Sequence, residues 1–183
     1  MKLLKNRKIA ILITIVVAIV ATLLGVRGSL NRLAGNVNDM FFNDVVIGGQ
    51  TYPSVNSFLS SRENSALGLA TLLERYNGLQ SEAESLLSAR RSLVGTNNIA
   101  EKNTANEAMQ KAFTSLVKKA ETLDLPDRDR NAMETYAASF SGAQTAISGS
   151  MYNKKVATFW DDVSFIAWCL RPLLFIRTPQ VFG

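Results

Sequence analysis

IAILITIVVAIVATLLGV, Ile9 to Val26, runs for eighteen residues without a charge, and its length decides the architecture. At roughly 1.5 Å per residue a helix of that length covers about 27 Å, close to the hydrocarbon thickness of a bilayer. The expected structure is a transmembrane anchor with Ile9 and Val26 at its ends. A secretory signal has an apolar core of about 7–15 residues closed by a small-residue cleavage site. Gly28, in Val26-Arg27-Gly28, offers such a site. The length of the core and its flanks favour an uncleaved anchor instead. Lys2, Lys5, Arg7 and Lys8 precede the segment and only Arg27 and Arg32 follow closely. Positive charge stays inside, so the expected topology is single-pass in a bacterial cell membrane, with a short cytoplasmic N-terminus and the bulk of the chain outside.

The formal charge of +5 does not predict a nucleic-acid partner. Lys2, Lys5, Arg7, Lys8 and Arg27 are five of the twenty basic residues, which leaves fifteen against fifteen acidic residues from Gly28 onward. The excess belongs to the anchor and its flanks, and no electrostatic footprint for DNA, RNA or an acidic substrate remains.

Outward from the anchor, residues 28–53 contain Gly35, Gly48, Gly49 and Pro53 among Asn and Asp, a composition that punctuates helix and predicts a juxtamembrane connector after the anchor of residues 1–27. Met40-Phe41-Phe42 and Val45-Val46-Ile47 are too apolar to hang free in solvent, and are expected to pack on the domain or dip toward lipid. Residues 54–183 predict an extracytoplasmic helical domain. Val55, Phe58, Leu59, Ala66, Leu69, Leu73, Tyr76, Ala83, Leu87 and Val94 form one stripe, with a break possible at Asn77-Gly78. Gly95 caps it. A second helix, Asn98 to Leu123, carries Ala105, Met109, Ala112, Leu116, Ala120 and Leu123 on its apolar face. Leu125-Pro126-Asp127 ends it, and Asp127 is expected to cap a third helix reaching about Val163, which buries Met133, Tyr136, Phe140, Ala143, Ile147, Val156, Phe159 and Val163. The fold class is therefore all-α: an N-terminal transmembrane helix, then an antiparallel bundle of three long helices with an apolar C-terminal tail.

That tail, Ser164 to Gly183, includes Phe165, Ile166, Trp168, Leu170, Leu173, Leu174, Phe175 and Ile176. Arg171-Pro172 cuts it and Pro179 follows, leaving too short a run for a second crossing. It is expected to pack on the bundle, lie at the membrane surface or bind a partner.

Tyr152-Asn153, then Val156 and Phe159, and an aromatic end closing at Phe182, all behind an anchor and three long helices, resemble the LemA family. Arg62, Glu82, Ala89-Arg90 and Glu121 fall where that family places similar residues, and the resemblance covers the chain from about Arg62 onward. The sequence departs from the family pattern in three places. Thr122-Leu123 stands where the family has Tyr-Pro, no basic residue occurs in Ser148 to Met151, and Trp160 stands where a second Asn is usual. The resemblance implies an extracytoplasmic helical bundle of poorly defined biochemical role, and supplies no catalytic residues.

The chain has no His, and Cys169 is its only cysteine, set among Ala167, Trp168 and Leu170. Ser-His-Asp and Cys-His schemes and most zinc sites are thereby excluded, and Cys169 is expected to be a buried, inert thiol. Glu82 with Glu84, Asp127 with Asp129, and Asp161 with Asp162 are the remaining acidic groups. Adjacent carboxylates on a helix point apart, so caps and solvated faces are expected. The sequence thus predicts no enzyme, cofactor or metal. It predicts a scaffold or interaction module at the cell envelope that meets an envelope protein or another copy of itself, with Tyr152, Asn153, Phe165, Trp168, Phe175 and Phe182 as the candidate surface. Tyr152 and Asn153 are expected first as packing residues, and otherwise as a groove for a partner segment. The alternative function is a ligand-sensing ectodomain that signals through a second membrane protein, because the cytoplasmic stub is too short for an output domain.

Overall fold

The computed structural model describes residues 7–159, 161, 163 and 179–183. In chain order these form helix α1 (Arg7–Phe42), strands β1 (Val45–Ile47) and β2 (Gln50–Tyr52), and helices α2 (Val55–Leu73), α3 (Gln80–Val94), α4 (Ile99–Ala120), α5 (Asp127–Ser148) and α6 (Met151–Ala157). The protein is mostly helical.

α1 is long and apolar enough to cross a membrane, with an 18-residue window of mean hydropathy 3.0. Ile11, Leu12, Ile15, Val16, Val17, Ile19, Val20 and Leu24 all stand exposed. An apolar surface on every side is the pattern of a helix buried in protein or in lipid. Within its apolar run the two threonine hydroxyls bond back to the helix's own backbone: Thr14 donates to the Ala10 carbonyl at 3.0 Å and Thr22 to that of Ala18 at 2.9 Å.

The connector expected over residues 28–53 is corrected by the structure. Helix continues through Gly28 and Gly35 to Phe42, because Leu30, Ala34, Val37 and Phe41 recur at four, three and four positions and are all buried. Burying that stripe offsets the roughly 1 kcal/mol that each glycine costs a helix. The chain then forms an antiparallel hairpin in which Val45 faces Tyr52 and Ile47 faces Gln50. Gly48 (φ 59°) and Gly49 (φ 82°) make its two-residue turn, which requires positive φ at both positions. Of the two apolar runs, Phe41 is buried, whereas Val46 and Ile47 face outward.

The described residues fall into two compact units, one within Met1–Asp39 and Lys155–Pro179, the other Met40–Lys154 with Gln180–Gly183. In the first, Leu30 is buried with Leu23, Val26 and Val163 packed against it. In the second, α2 packs on α5 and α3, and α3 on α4. Its core holds Val55, Leu59, Leu69 and Leu73 of α2, Met109, Phe113 and Leu116 of α4, and Met133, Phe140 and Ile147 of α5.

The single helix expected from Ser54 to Val94 is two. Gly78 sits at φ 88°, and α3 restarts at Gln80. Within α3 Ala83 is buried as expected, but Leu86 and Leu93 are buried where Leu87 and Val94 were expected, and Val94 is exposed. Asn98 caps α4 by accepting from the Ala100 and Glu101 amides. Asp127 does not cap α5; it is the first helical residue, preceded by Pro126, whose fixed φ suits the entry. The third helix ends at Ser148 rather than Val163. Gly149 closes it, and the Ser150 hydroxyl accepts from the Asn153 amide at 3.2 Å to start α6.

α2 and α5 meet closely at Gly68, where an added Cβ would lie 2.5 Å from Cε1 of Tyr136. Gly68→Ala should lower stability by about 1–2 kcal/mol despite its better helix propensity, because the Tyr136 ring must leave its seat. Adding Tyr136→Ala should turn the alanine's effect favourable. Thermal unfolding of the four chains of this cycle tests it, and a stabilising Gly68→Ala alone would show that the ring gives way freely.

Candidate functional site

Tyr152 and Asn153 lie on the first turn of α6 and are buried, not surface groups. Both hold the extended segment Gln180–Gly183. The Asn153 carboxamide reads one residue of that segment as a neighbouring strand would: its Oδ1 accepts from the Phe182 amide at 2.9 Å and its Nδ2 donates to the Phe182 carbonyl at 2.8 Å. The same Nδ2 donates to the Ile147 carbonyl at the end of α5, at 2.9 Å. Both Nδ2 hydrogens and one lone pair of Oδ1 are thereby engaged, which fixes the side chain. Tyr152 donates its hydroxyl to the Gln180 carbonyl at 2.8 Å. Burial pushes that hydroxyl up to about 12, so it stays a protonated donor at neutral pH.

The ring of Phe182 enters an aromatic pocket, 5.0 Å from the Phe41 ring, which in turn meets Tyr152 edge-on at 5.2 Å. Phe182 is 1% exposed, whereas Val181 is 57% exposed and Gln180 also faces outward. Gly183 follows at φ 108°, its amide donating to Asn103 Oδ1 at 3.0 Å. A Cβ there would lie 2.7 Å from Gln144 Nε2. The cleft thus reads backbone, one aromatic side chain and one glycine.

Beside it lies a polar network inside the helices. Arg62 of α2 is 0% exposed, with its guanidinium stacked 3.9 Å over the Phe140 ring, which stacks in turn on Phe113. It donates to the side-chain oxygens of Asn106, Gln110 and Gln144. Burial lowers the guanidinium to about 10, which leaves it charged at neutral pH. Among the described residues no carboxylate pairs with it. Asn106, Gln110 and Gln144 also line a cavity of about 390 Å³ with Glu107, Lys111 and Gly183.

Sequence reading brought Tyr152, Asn153 and Phe182 forward, and the structure places the three together. Phe165, Trp168 and Phe175, like Cys169, lie outside the described residues. Phe41 and Asn103 were missed as members of the cleft. Arg62 was noticed only through a family resemblance, although its place three residues after Leu59 and four before Ala66 set it on the apolar stripe.

Glu82 pairs with Lys119 at 2.7 Å and Glu84 with Arg91 at 2.7 Å. Asp129 accepts from the Tyr76 hydroxyl and from Arg75, which hold its carboxyl below the usual range. Among the described residues no group of three His, Cys, Asp or Glu could hold a metal ion. Comparison with protein-family models, with curated proteins and with solved structures finds no match for this chain.

Proposed function

We propose that this chain is a membrane-anchored, LemA-like helical protein acting as a non-enzymatic scaffold or interaction module at the bacterial cell envelope. Its N-terminus is cytoplasmic, and α2 to α5 form an antiparallel helical bundle outside. The reading is carried by α1, whose apolar side chains stand exposed over a window of mean hydropathy 3.0. The charge distribution supports it, because the basic excess precedes and borders the apolar run while the rest of the chain is neutral. Tethering confines the domain near other membrane proteins and raises its effective concentration there.

The test is extraction of the full chain from bacterial membranes. The chain should stay in the pellet at alkaline pH. Val16→Glu with Ile19→Glu should move most of it to the soluble fraction, since each charge at a helix centre opposes insertion by roughly 2.5–3.5 kcal/mol. Protease added outside spheroplasts should reach the surface of α2 to α6. Release of the unmodified chain at alkaline pH would overturn the anchor, and digestion only from inverted vesicles would overturn the orientation.

A further inference from the structure

We propose that Asn77, in the turn between α2 and α3, is a self-modification site, at which the backbone amide of Gly78 displaces ammonia from the asparagine side chain and leaves aspartate or isoaspartate in the turn. The reaction needs only water, and it stands apart from the scaffold reading, because its readout is a mass.

Of the chain's asparagines only Asn77 is followed by glycine. A Cβ on the following residue crowds the approach of its amide nitrogen to the asparagine Cγ, and glycine has none. Asn77 and Gly78 are both exposed, and nothing lies within 4 Å of where a Cβ on Gly78 would stand. Neither belongs to a helix, so turning their shared peptide toward the side chain breaks no helical hydrogen bond. What restrains that turn is weak: the Gly78 amide donates to Gln80 Oε1 at 2.9 Å, a bond to an exposed side chain. Asn56 and Asn64 differ on both counts. Each precedes a serine, and each lies inside α2, where the helix fixes the following peptide.

The steps balance without an oxidant or a cofactor. The Gly78 nitrogen gives up its proton and bonds to Asn77 Cγ, closing a succinimide ring, while the Cγ–Nδ2 bond breaks and the nitrogen leaves as ammonia with that proton. Water then adds to one of the two ring carbonyls. Breaking the ring's new bond gives aspartate, and breaking its older peptide bond gives isoaspartate, each with a negative charge that the asparagine lacked. The surroundings turn this into a structural change. Tyr76 donates its hydroxyl to Asp129, Leu79 is buried, and the Leu79 amide donates to the Tyr76 carbonyl at 3.1 Å across the turn. Isoaspartate routes the backbone through the side chain and adds one carbon between those two fixed residues. The bond across the turn is then lost, and the joint between α2 and α3 loosens.

The experiment ages the full chain in detergent micelles in mildly alkaline buffer and follows its proteolytic fragments by mass spectrometry, with electron-based fragmentation to tell isoaspartate from aspartate. Asn77 should convert at least tenfold faster than Asn56 or Asn64, and within tenfold of a synthetic peptide of residues 74–81 in the same buffer. Gln80→Ala, which removes the restraint on the Gly78 amide, should speed conversion at least threefold. Gly78→Ala should slow it at least tenfold. Because alanine is strained at the φ of 88° found there, the Gln80→Ala result stands as the test should that chain fold poorly. In the isoaspartate fraction the Leu79 amide should exchange its hydrogen at least tenfold faster than in the unaged chain. Conversion of Asn77 no faster than that of Asn56 and Asn64, or more than tenfold slower than in the peptide, means that the folded turn locks the asparagine and overturns the site. An unchanged rate in Gln80→Ala overturns the restraint, and unchanged Leu79 exchange overturns the loosening of the joint.

Discussion

Arg62→Leu should lower the stability of the helical unit by about 3–5 kcal/mol, which in a chain of this size is a fall of roughly 10 °C in melting temperature. The size follows from what the guanidinium holds together. Two helices send three side-chain oxygens to it, Asn106 and Gln110 from α4 and Gln144 from α5, while α2 supplies the arginine and α5 the Phe140 ring beneath it. Leucine of similar girth leaves the ring covered but strands the acceptors. A buried acceptor left without a donor costs about 1–3 kcal/mol. Asn106 is buried and bears that cost in full, whereas Gln110 and Gln144 are half-buried and water relieves part of theirs. Arg62→Lys should fall between: a single ammonium keeps the charge but neither spans three acceptors nor stacks flat on the ring. Arg62→Leu with Asn106→Leu should lose less than the sum of the two single changes, because an apolar pair removes the stranded acceptor along with its donor. Far-UV circular dichroism of the four chains in detergent decides it, and a fall under about 3 °C for Arg62→Leu would mean the network contributes little.

The same network shows where sequence reading stops. Periodicity identifies which positions face inward, and it did so for Leu59, Leu69, Met109, Phe140 and Ile147. It cannot say that a polar residue on the buried stripe, such as Arg62 or Asn106, is matched from another helix, because the match is made between residues 44 positions apart. Residues 28–42 failed for a different reason. Gly, Asn and Asp content was weighed above the spacing of Leu30, Ala34, Val37 and Phe41, and burial of that stripe outweighs the glycines' intrinsic preference. In α3 Ala83 lies on the buried face as expected, but a helical face can be followed by a step of three or of four, and Leu86 and Leu93, three and ten positions on, take the buried side in place of Leu87 and Val94. In the cleft, Tyr152, Asn153 and Phe182 were legible as residues. Their meeting was not, since Asn153 and Phe182 are 29 positions apart and bond through backbone groups that every residue carries alike.

Asn153→Leu should free the segment 179–183, and the Phe182 amide should exchange its hydrogen about 100-fold faster as a result. Asn and Leu are alike in outline, so the change is chiefly one of hydrogen bonding. Three bonds are lost, two to Phe182 and one to Ile147, and all three lie buried. At about 1 kcal/mol net for each, the loss is roughly 3 kcal/mol, and a factor of ten corresponds to about 1.4 kcal/mol. Tyr152→Phe removes only the bond to the outward-facing Gln180, so its effect should stay within about tenfold. Asn153→Asp gives the sign of the charge effect. An ionised carboxylate there still accepts from the Phe182 amide, but it faces the Phe182 and Ile147 carbonyls with no hydrogen to offer, and both burial and those carbonyls favour its protonated form. Protection of the Phe182 amide in Asn153→Asp should therefore rise as pH falls through the aspartate's raised pKa, when the acid regains a donor, and disappear above it. The unmodified asparagine should show no such dependence. Native-state exchange of the full chain in micelles, corrected for intrinsic rates at each pH, measures all three. Phe182 exchange within threefold of the unmodified chain in Asn153→Leu would mean that aromatic packing on Phe41 alone holds the segment, and that the carboxamide is a bystander.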